Sequence, residues 1–314
     1  IRLADLRSST IYHGLVPYIE KFCTERDYKL EIDSAINSTT DFSVIEAKEF
    51  IDTLHLPHEV RDYQLKAFIQ AIRTKRMLLL SPTASGKSLI IYMIARQLLD
   101  YQNLKGLIVV PTTSLVEQLY NDFKDYSTAN DFDVSTNVHR IYQGKDKVAE
   151  MPVIISTWQS IYQMPKEYFE EFDVVIGDEA HQFKADSLVG ALTKCINTKY
   201  RIGTTGTIDN SKVNKLVLEG LFGPVYKVIS TRELMDSNRV AELKIKCIML
   251  KYDETSRKMM NKATYQDEIK YIIGHEKRNK FIRNLALASE GNTLVLFQQV
   301  EKHGKILHEM ISSK

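Results

Sequence analysis

The chain has 314 residues, 44% of them hydrophobic and 26% charged, with a formal net charge of +2. That balance belongs to an ordinary globular protein that buries a core without staples, and it argues against a disordered or fibrous chain. So small a net charge carries no signal for nucleic acid, and the longest apolar runs, such as Leu107–Pro111 and Val174–Gly177, are strand-sized, so no membrane span is expected. Cys23, Cys195 and Cys247 lie far apart without metal-ligand spacing, which reads as free thiols in a reducing, cytosolic setting. The chain opens on Ile1 without a signal-peptide pattern and stops abruptly at Ile311–Lys314, so both ends read as cuts.

In chain order, residues 1–50 read as a small unit with a helix near Leu15–Arg26, a strand near Lys29–Ile32 and a polar loop over Asp33–Asp41. Five short apolar runs then predict strands: Met77–Leu80, Leu107–Val110, Val153–Ile155, Val174–Ile176 and Arg201–Gly203. Being apolar at consecutive positions, they suit strands buried on both faces. Helix-period segments at Ser88–Leu99, Leu115–Tyr126 and Ser187–Ile196 alternate with them, which predicts an α/β fold with a parallel sheet covered on both sides. Beyond a turn at Leu221-Phe222-Gly223-Pro224 come a helical stretch over Tyr265–Ala288, a buried strand over Thr293–Phe297 and a helix over Lys302–Ser312, read as a second α/β domain that has only begun. From Asn238 to Arg283 twelve Lys/Arg face six Asp/Glu, a surplus that suits either phosphate contact or a solvated helical surface.

The clearest chemical signal is Ser81-Pro82-Thr83-Ala84-Ser85-Gly86-Lys87-Ser88, set between a predicted strand and a predicted helix. Loop N–H groups and the helix N-terminus would point at phosphates, and Gly86 permits close backbone approach. Lys87 would reach the β- and γ-phosphates of ATP, and the Ser88 hydroxyl would ligate Mg2+. Ser81 stands where the general pattern has glycine. Some ninety residues on, Asp178-Glu179-Ala180-His181 follows a buried strand, so its carboxylates would emerge at the carboxyl edge of the sheet. There Asp178 would hold Mg2+, partly through water, and Glu179 would orient and deprotonate the attacking water. His181 would sense the phosphate and pass that state on.

With these motifs in this order, the sequence resembles the superfamily-2 helicases of the Asp-Glu-Ala-His type. Arg61-Asp62-Tyr63-Gln64 is similar to the family's Arg-x-Tyr-Gln element, which implies that Arg61 and Gln64 help recognise adenine. Pro111-Thr112-Thr113-Ser114-Leu115, Tyr142-Gln143-Gly144 and Ser156-Thr157-Trp158-Gln159 resemble three successive nucleic-acid-contacting motifs. Thr204-Thr205-Gly206-Thr207 resembles the Ser/Thr-Ala-Thr element, with Gly206 in place of Ala, which implies that Thr205 and Thr207 couple hydrolysis to strand movement. Leu221–Leu243 has the look of the linker in double-strand-translocating branches. Ile1–Cys23, Pro165-Lys166-Glu167 and Tyr265–Arg278 are similar to the phage UvsW-type helicases, which remodel forks, Holliday junctions and R-loops.

The resemblance implies a partial N-terminal accessory, DNA-binding domain over 1–50, a first RecA-like ATP-binding domain over 51–230, and a linker with the beginning of a second RecA-like domain over 231–314. It implies ATP and Mg2+ as cofactors, branched DNA as partner (with RNA inside R-loops), and a monomer at work in replication, recombination and repair in the host cytoplasm of a bacteriophage. Thr112, Thr113 and Thr157 suit sequence-independent phosphate contact or helix capping, and Trp158 suits base stacking or core packing. Two other readings stay open, an RNA helicase or restriction-complex motor, and a nucleotide-gated binding module that is no motor. The family's late arginine motif is absent here, and an arginine finger contributes ~10³–10⁵ in rate. The 314-residue chain alone is therefore expected to bind ATP and hydrolyse it very slowly; steady-state turnover matching that of a full-length relative would refute this.

Overall fold

A computed structural model describes residues 4–5, 7–34, 36, 39–142, 150–182, 186–208 and 212–313. The chain divides into two compact units, Ile1–Glu242 and Leu243–Lys314. In the first, β1 (Ala4–Asp5) and β2 (Thr10–Ile11) form a short antiparallel pair. Seven further strands make one parallel sheet: β3 (Arg76–Leu80), β4 (Gly106–Val110), β5 (Val138–Ile141), β6 (Val153–Thr157), β7 (Val174–Gly177), β8 (Tyr200–Thr205) and β9 (Val225–Lys227). Their spatial order is β5-β6-β4-β7-β8-β3-β9. The five strands expected from Met77–Leu80 to Arg201–Gly203 are all present.

Successive side chains on a strand face opposite ways, and the two cores follow that alternation. Leu78, Leu107, Val109, Ile154 and Val175 join one cluster, with Phe169 and Phe222. Their neighbours Leu79, Ile108, Val110, Ile155 and Ile176 join the other, with Phe68, Ile90 and Phe123. With both faces apolar and covered by helices, polar function is left to the strand ends.

Strand order decides which ends meet. The chain leaves β3 for β4 across the gap later filled by β7 and β8. Leu80 thereby pairs with Thr205, and Gly177 with Gly203, so the loops after β3, β7 and β8 share one edge. On the other side of β7, Val110 pairs with Thr157, so the loops after β4 and β6 are neighbours at the same edge.

The helices follow local signals. Ser43 and Glu46 form a capping box for helix Val44–Thr53, and the Thr112 hydroxyl caps helix Thr113–Tyr126 by accepting the Leu115 N–H at 3.3 Å. The helix expected over Ser88–Leu99 runs as an α-helix over Lys87–Ala95 and widens to a π-helical turn over Arg96–Tyr101.

Two sequence expectations fail. Lys29–Ile32 forms no strand: it has no ladder partner among the described residues, and Leu30 is exposed. Thr293–Phe297 is likewise no strand; Leu294 and Leu296 are 82% and 83% exposed, and the second unit has no partner strand among its described residues. An apolar run becomes a strand only where another backbone satisfies its N–H and C=O groups. The second unit is helical at Glu254–Met260, Tyr265–Gly274, Glu276–Ala288 and Lys305–Ser312. The helical stretch expected over Tyr265–Ala288 is present as two helices that meet at His275, whose extended backbone ends one and whose Nδ1 accepts the Arg278 N–H to start the next.

Gly223 turns the chain from helix Lys212–Phe222 into β9 at φ +123°, and an added Cβ would lie 2.5 Å from the Arg76 carbonyl oxygen. Gly223→Ala is expected to cost about 2–3 kcal/mol, through strain at positive φ and displacement of the β3 backbone. Thermal unfolding should show a Tm drop of roughly 5–10 °C; an unchanged Tm would refute the argument.

Candidate functional site

The loop after β3 is braced from within. Ser85 Oγ donates to the Pro82 carbonyl at 2.6 Å, so its contact with Ser81 Oγ, also 2.6 Å, has Ser81 as donor. The Ser81 N–H donates to the Thr205 carbonyl at 2.8 Å, tying the loop to the end of β8. A serine thus supports the loop where the general pattern has glycine. Gly86, at φ +79° and ψ +45°, is the N-cap of helix Lys87–Ala95, and a Cβ there would meet the Gln64 amide nitrogen at 2.3 Å.

Gln64 explains that crowding. It is 3% exposed, its Oε1 accepts the Arg61 N–H at 2.9 Å, and its Nε2 donates to the carbonyls of Ser85 at 3.0 Å and Gly86 at 3.4 Å. The Tyr63 hydroxyl reaches the Ser85 carbonyl at 3.1 Å, and the Arg61 guanidinium donates to that hydroxyl at 2.7 Å. In this arrangement the Gln64 amide holds the phosphate loop.

The acidic motif meets the loop directly. Lys87 Nζ donates to Glu179 Oε1 at 2.6 Å, with side chains only 13% and 24% exposed. Asp178 Oδ1 accepts from the Glu179 N–H at 2.8 Å and from the Thr204 hydroxyl at 2.5 Å. Burial pushes the Asp178 carboxyl above the usual carboxylate range, against the Thr204 hydrogen bond and the Lys87 charge. A cation at this position would reverse that burial penalty. Glu179 sits at φ +51°, a left-handed backbone that side chains rarely adopt.

His181 lies between the two later motifs, its Nδ1 3.3 Å from Glu179 Oε2 and 3.1 Å from Thr205 Oγ1. The Thr205 hydroxyl gives its one proton to the Thr207 carbonyl at 2.8 Å. Toward His181 it is therefore the acceptor, and Nδ1 carries the hydrogen. This forms a hydrogen-bonded path from His181 through Thr205 to Thr207, with Glu179 Oε2 in close approach at its start.

A cavity of about 390 Å3 opens over the loop, lined by Thr83, Ala84, Lys87, Ser88, Asp178 and Glu179 among others. Sequence reasoning missed two residues beside it. The Ser88 hydroxyl is 2.9 Å from the Tyr126 hydroxyl. Asp122, which also lines the cavity, is pushed up by burial against a hydrogen bond with Ser88. Gln118, Asp122 and Tyr126 recur every four residues, a polar stripe beside the buried Leu119 and Phe123 that was the available signal. Thr204, the partner of Asp178, was also missed; only its neighbours Thr205 and Thr207 were singled out.

The nucleic-acid candidates form a second group at the same edge. Thr112 and Thr113 are exposed, and the Gln159 amide donates to the Pro111 carbonyl at 3.2 Å, linking the loops after β4 and β6. The Thr157 hydroxyl is 2.8 Å from Ser160 Oγ, and Thr157 is buried. Trp158 is half-buried, packed against the core and 6.0 Å from the Tyr162 ring. Gly144 lies outside the described residues.

The donor set fits a magnesium-bound nucleoside triphosphate: a glycine that admits close backbone approach, a lysine, a serine hydroxyl at the helix start and a desolvated aspartate opposite it. Ser88 and Asp178 would hold the metal. Glu179 competes with phosphate for Lys87, so Glu179→Gln is expected to tighten nucleotide binding about two- to fivefold, the worth of a modest ion pair. The same change should slow turnover by about 10²–10⁴ through loss of the base. Titration with a fluorescent ATP analogue alongside phosphate release checks both; weaker binding would refute the competition. An added Cβ on Gly206 finds its nearest atoms at 3.7 Å, so Gly206→Ala should change Tm by an amount equivalent to less than about 0.5 kcal/mol.

Comparison with known proteins bears on these features. The family described as "Type III restriction enzyme, res subunit" matches residues 57–210. The ATP-dependent DNA helicase uvsW of Enterobacteria phage T4 is 34% identical over 330 residues, covering 100% of this chain and 64% of that protein. The DNA 3'-5' translocase XPB2 of Sulfurisphaera tokodaii is 24% identical across 94% of this chain and 66% of its own length. The crystal structure of the UvsW helicase from Bacteriophage T4 matches with a TM-score of 0.66 at 31% identity, over 72% of this chain and 82% of that one. This chain thus spans less than two thirds of the phage relative's length. The parallel sheet, the loop-and-carboxylate edge and these matches converge: the chain belongs to the superfamily-2 helicases, in their UvsW-type branch.

Proposed function

We propose that this chain is the ATP-binding portion of an ATP-driven DNA helicase or translocase that acts on branched DNA, such as forks, Holliday junctions and R-loops, without reading sequence. The observation that carries the reading is the shared sheet edge. Lys87, Asp178 and Glu179 meet there, and the Thr112 and Thr157 loops lie along it. In the same reading, residues 1–50 belong to an accessory DNA-binding domain, 51–230 to the first RecA-like domain, and 231–314 to the linker and the beginning of the second. The protein works as a monomer in the cytoplasm. No helix among the described residues is long and apolar enough to cross a membrane.

The chemistry follows from the groups in place. The loop N–H groups and Lys87 bind the β- and γ-phosphates, displacing Glu179 from Lys87. Mg2+ held by Ser88 and Asp178 would neutralise charge on the phosphate oxygens. Glu179 takes a proton from water as its oxygen attacks the γ-phosphorus, and the bond to the bridging oxygen breaks to leave ADP. The change at Glu179 reaches Thr205 and Thr207 through His181. Arg61 and Gln64 serve the adenine side, Gln64 through its hold on the loop. Thr112, Thr113, Gly144, Thr157 and Trp158 contact the DNA strand, the hydroxyls at phosphates and Trp158 at a base.

The test is nucleotide and DNA binding by the chain, with any hydrolysis measured with and without a forked duplex. DNA is expected to stimulate the hydrolysis, and Lys87→Ala to lower it by about 10²–10³. Fork binding should weaken linearly in log–log dependence on salt, with a slope of roughly −0.9 per phosphate contacted on duplex DNA. Salt-independent binding, hydrolysis indifferent to DNA, or preference for a matched RNA fork would overturn the reading.

A further inference from the structure

We propose that Arg239, in the segment that follows β9, is a base-side binding residue of the nucleotide site: its guanidinium holds the purine of ATP from beside Tyr63. The inference rests on the nucleotide reading above and adds a residue outside the phosphate loop, the acidic motif and Arg61–Gln64.

Strand order gives a bound nucleotide its direction. Lys87 meets Glu179, which follows β7, so the γ-phosphate end points toward β7. The phosphate loop follows β3, and β9 pairs with β3 on the side away from β7 and β8. An extended nucleotide with its γ-phosphate at Glu179 therefore carries its base toward the β9 side.

The chain after β9 is held at this edge by its own backbone. The Val228 N–H donates to the Leu80 carbonyl at 2.9 Å, at the end of the strand that opens the phosphate loop. Ser230 and Glu233 form a capping box for helix Thr231–Asp236, whose Leu234 is fully buried. Asn238 ends that helix in a left-handed backbone at φ +55°. Its N–H donates to the Met235 carbonyl, and the Arg239 N–H donates to the Leu234 carbonyl, both at 2.9 Å. The backbone of Arg239 is thus fixed although the residue is exposed.

The Arg239 guanidinium carbon lies 6.0 Å from the centroid of the Tyr63 ring, and so does that of Arg61. Tyr63 is buried, with its hydroxyl 3.1 Å from the Ser85 carbonyl of the phosphate loop. Two guanidiniums about one ring repel each other, and the polyphosphate of ATP supplies the charge that offsets them. A guanidinium is planar, donates in its own plane and stacks on aromatic faces. A purine offers the matching face and ring-nitrogen acceptors. Contact with the base would draw Val228–Arg239, the segment leading to the second unit, into the nucleotide site.

The experiment measures, by titration calorimetry with Mg2+ present, the affinity of the 314-residue chain for ATP and for inorganic tripolyphosphate, which has no base. Arg239→Ala is expected to weaken ATP about five- to tenfold, as loss of one stacked cation would. Its affinity for tripolyphosphate should stay within about twofold of wild type. Arg239→Lys, which keeps the charge and loses the planar face, should weaken ATP nearly as much. An ATP affinity within twofold of wild type in Arg239→Ala would overturn the proposal. So would an equal loss for ATP and tripolyphosphate, which marks a contact to phosphate or general damage, or full recovery in Arg239→Lys, which marks charge alone. ATP binding by the wild-type chain is the separate check on the nucleotide reading, and it stands whichever way Arg239 falls.

Discussion

Seven parallel strands that are apolar on both faces leave the first unit one place for charge, the ends of the strands. Everything functional here depends on that constraint. Because β7 and β8 enter the sheet between β3 and β4, the loops after β3, β7 and β8 become neighbours though about ninety residues separate Lys87 from Glu179. The Lys87–Glu179 contact at 2.6 Å and the Thr204–Asp178 hydrogen bond are the local results. A different strand order with the same motifs would scatter these groups.

The same edge carries the polar connections outward. Glu179 touches Lys87 with one carboxylate oxygen and approaches His181 with the other, and His181 passes the contact to Thr205. Since Thr205 spends its proton on Thr207, the donor direction along this path is set by hydrogen-bond capacity alone. The bonded path thus begins at His181, beside Glu179, and ends at Thr207, in the segment after β8. On the opposite flank, Gln64 holds two loop carbonyls while its own carbonyl caps the start of helix Asp62–Thr74, so loop and helix start move together or not at all.

Much of this was legible in the sequence because buried parallel strands and phosphate loops are written in contiguous residues. Met77–Leu80 before the loop and Val174–Ile176 before the acidic motif announce themselves by composition. What failed, or stayed hidden, depends on partners distant in sequence. Lys29–Ile32 and Thr293–Phe297 have strand-like composition, but pairing belongs to the neighbour as much as to the run. Tyr126 looks like the wet side of an amphipathic helix, and only the packing of its helix against Tyr92 brings its hydroxyl to 2.9 Å from Ser88 Oγ. The hold of Gln64 on the loop carbonyls, seen in the crowding over Gly86, was likewise hidden, because it joins residues more than twenty positions apart.

Glu179 stands in a left-handed backbone at φ +51° that costs a non-glycine residue on the order of 1–3 kcal/mol. Glycine would relieve that cost and leave the turn intact, while removing the carboxylate that the site is arranged around. Stability and chemistry therefore pull in opposite directions at this one position. Selection for a sturdier fold alone would erase the base, so its persistence in a lineage would record selection for turnover.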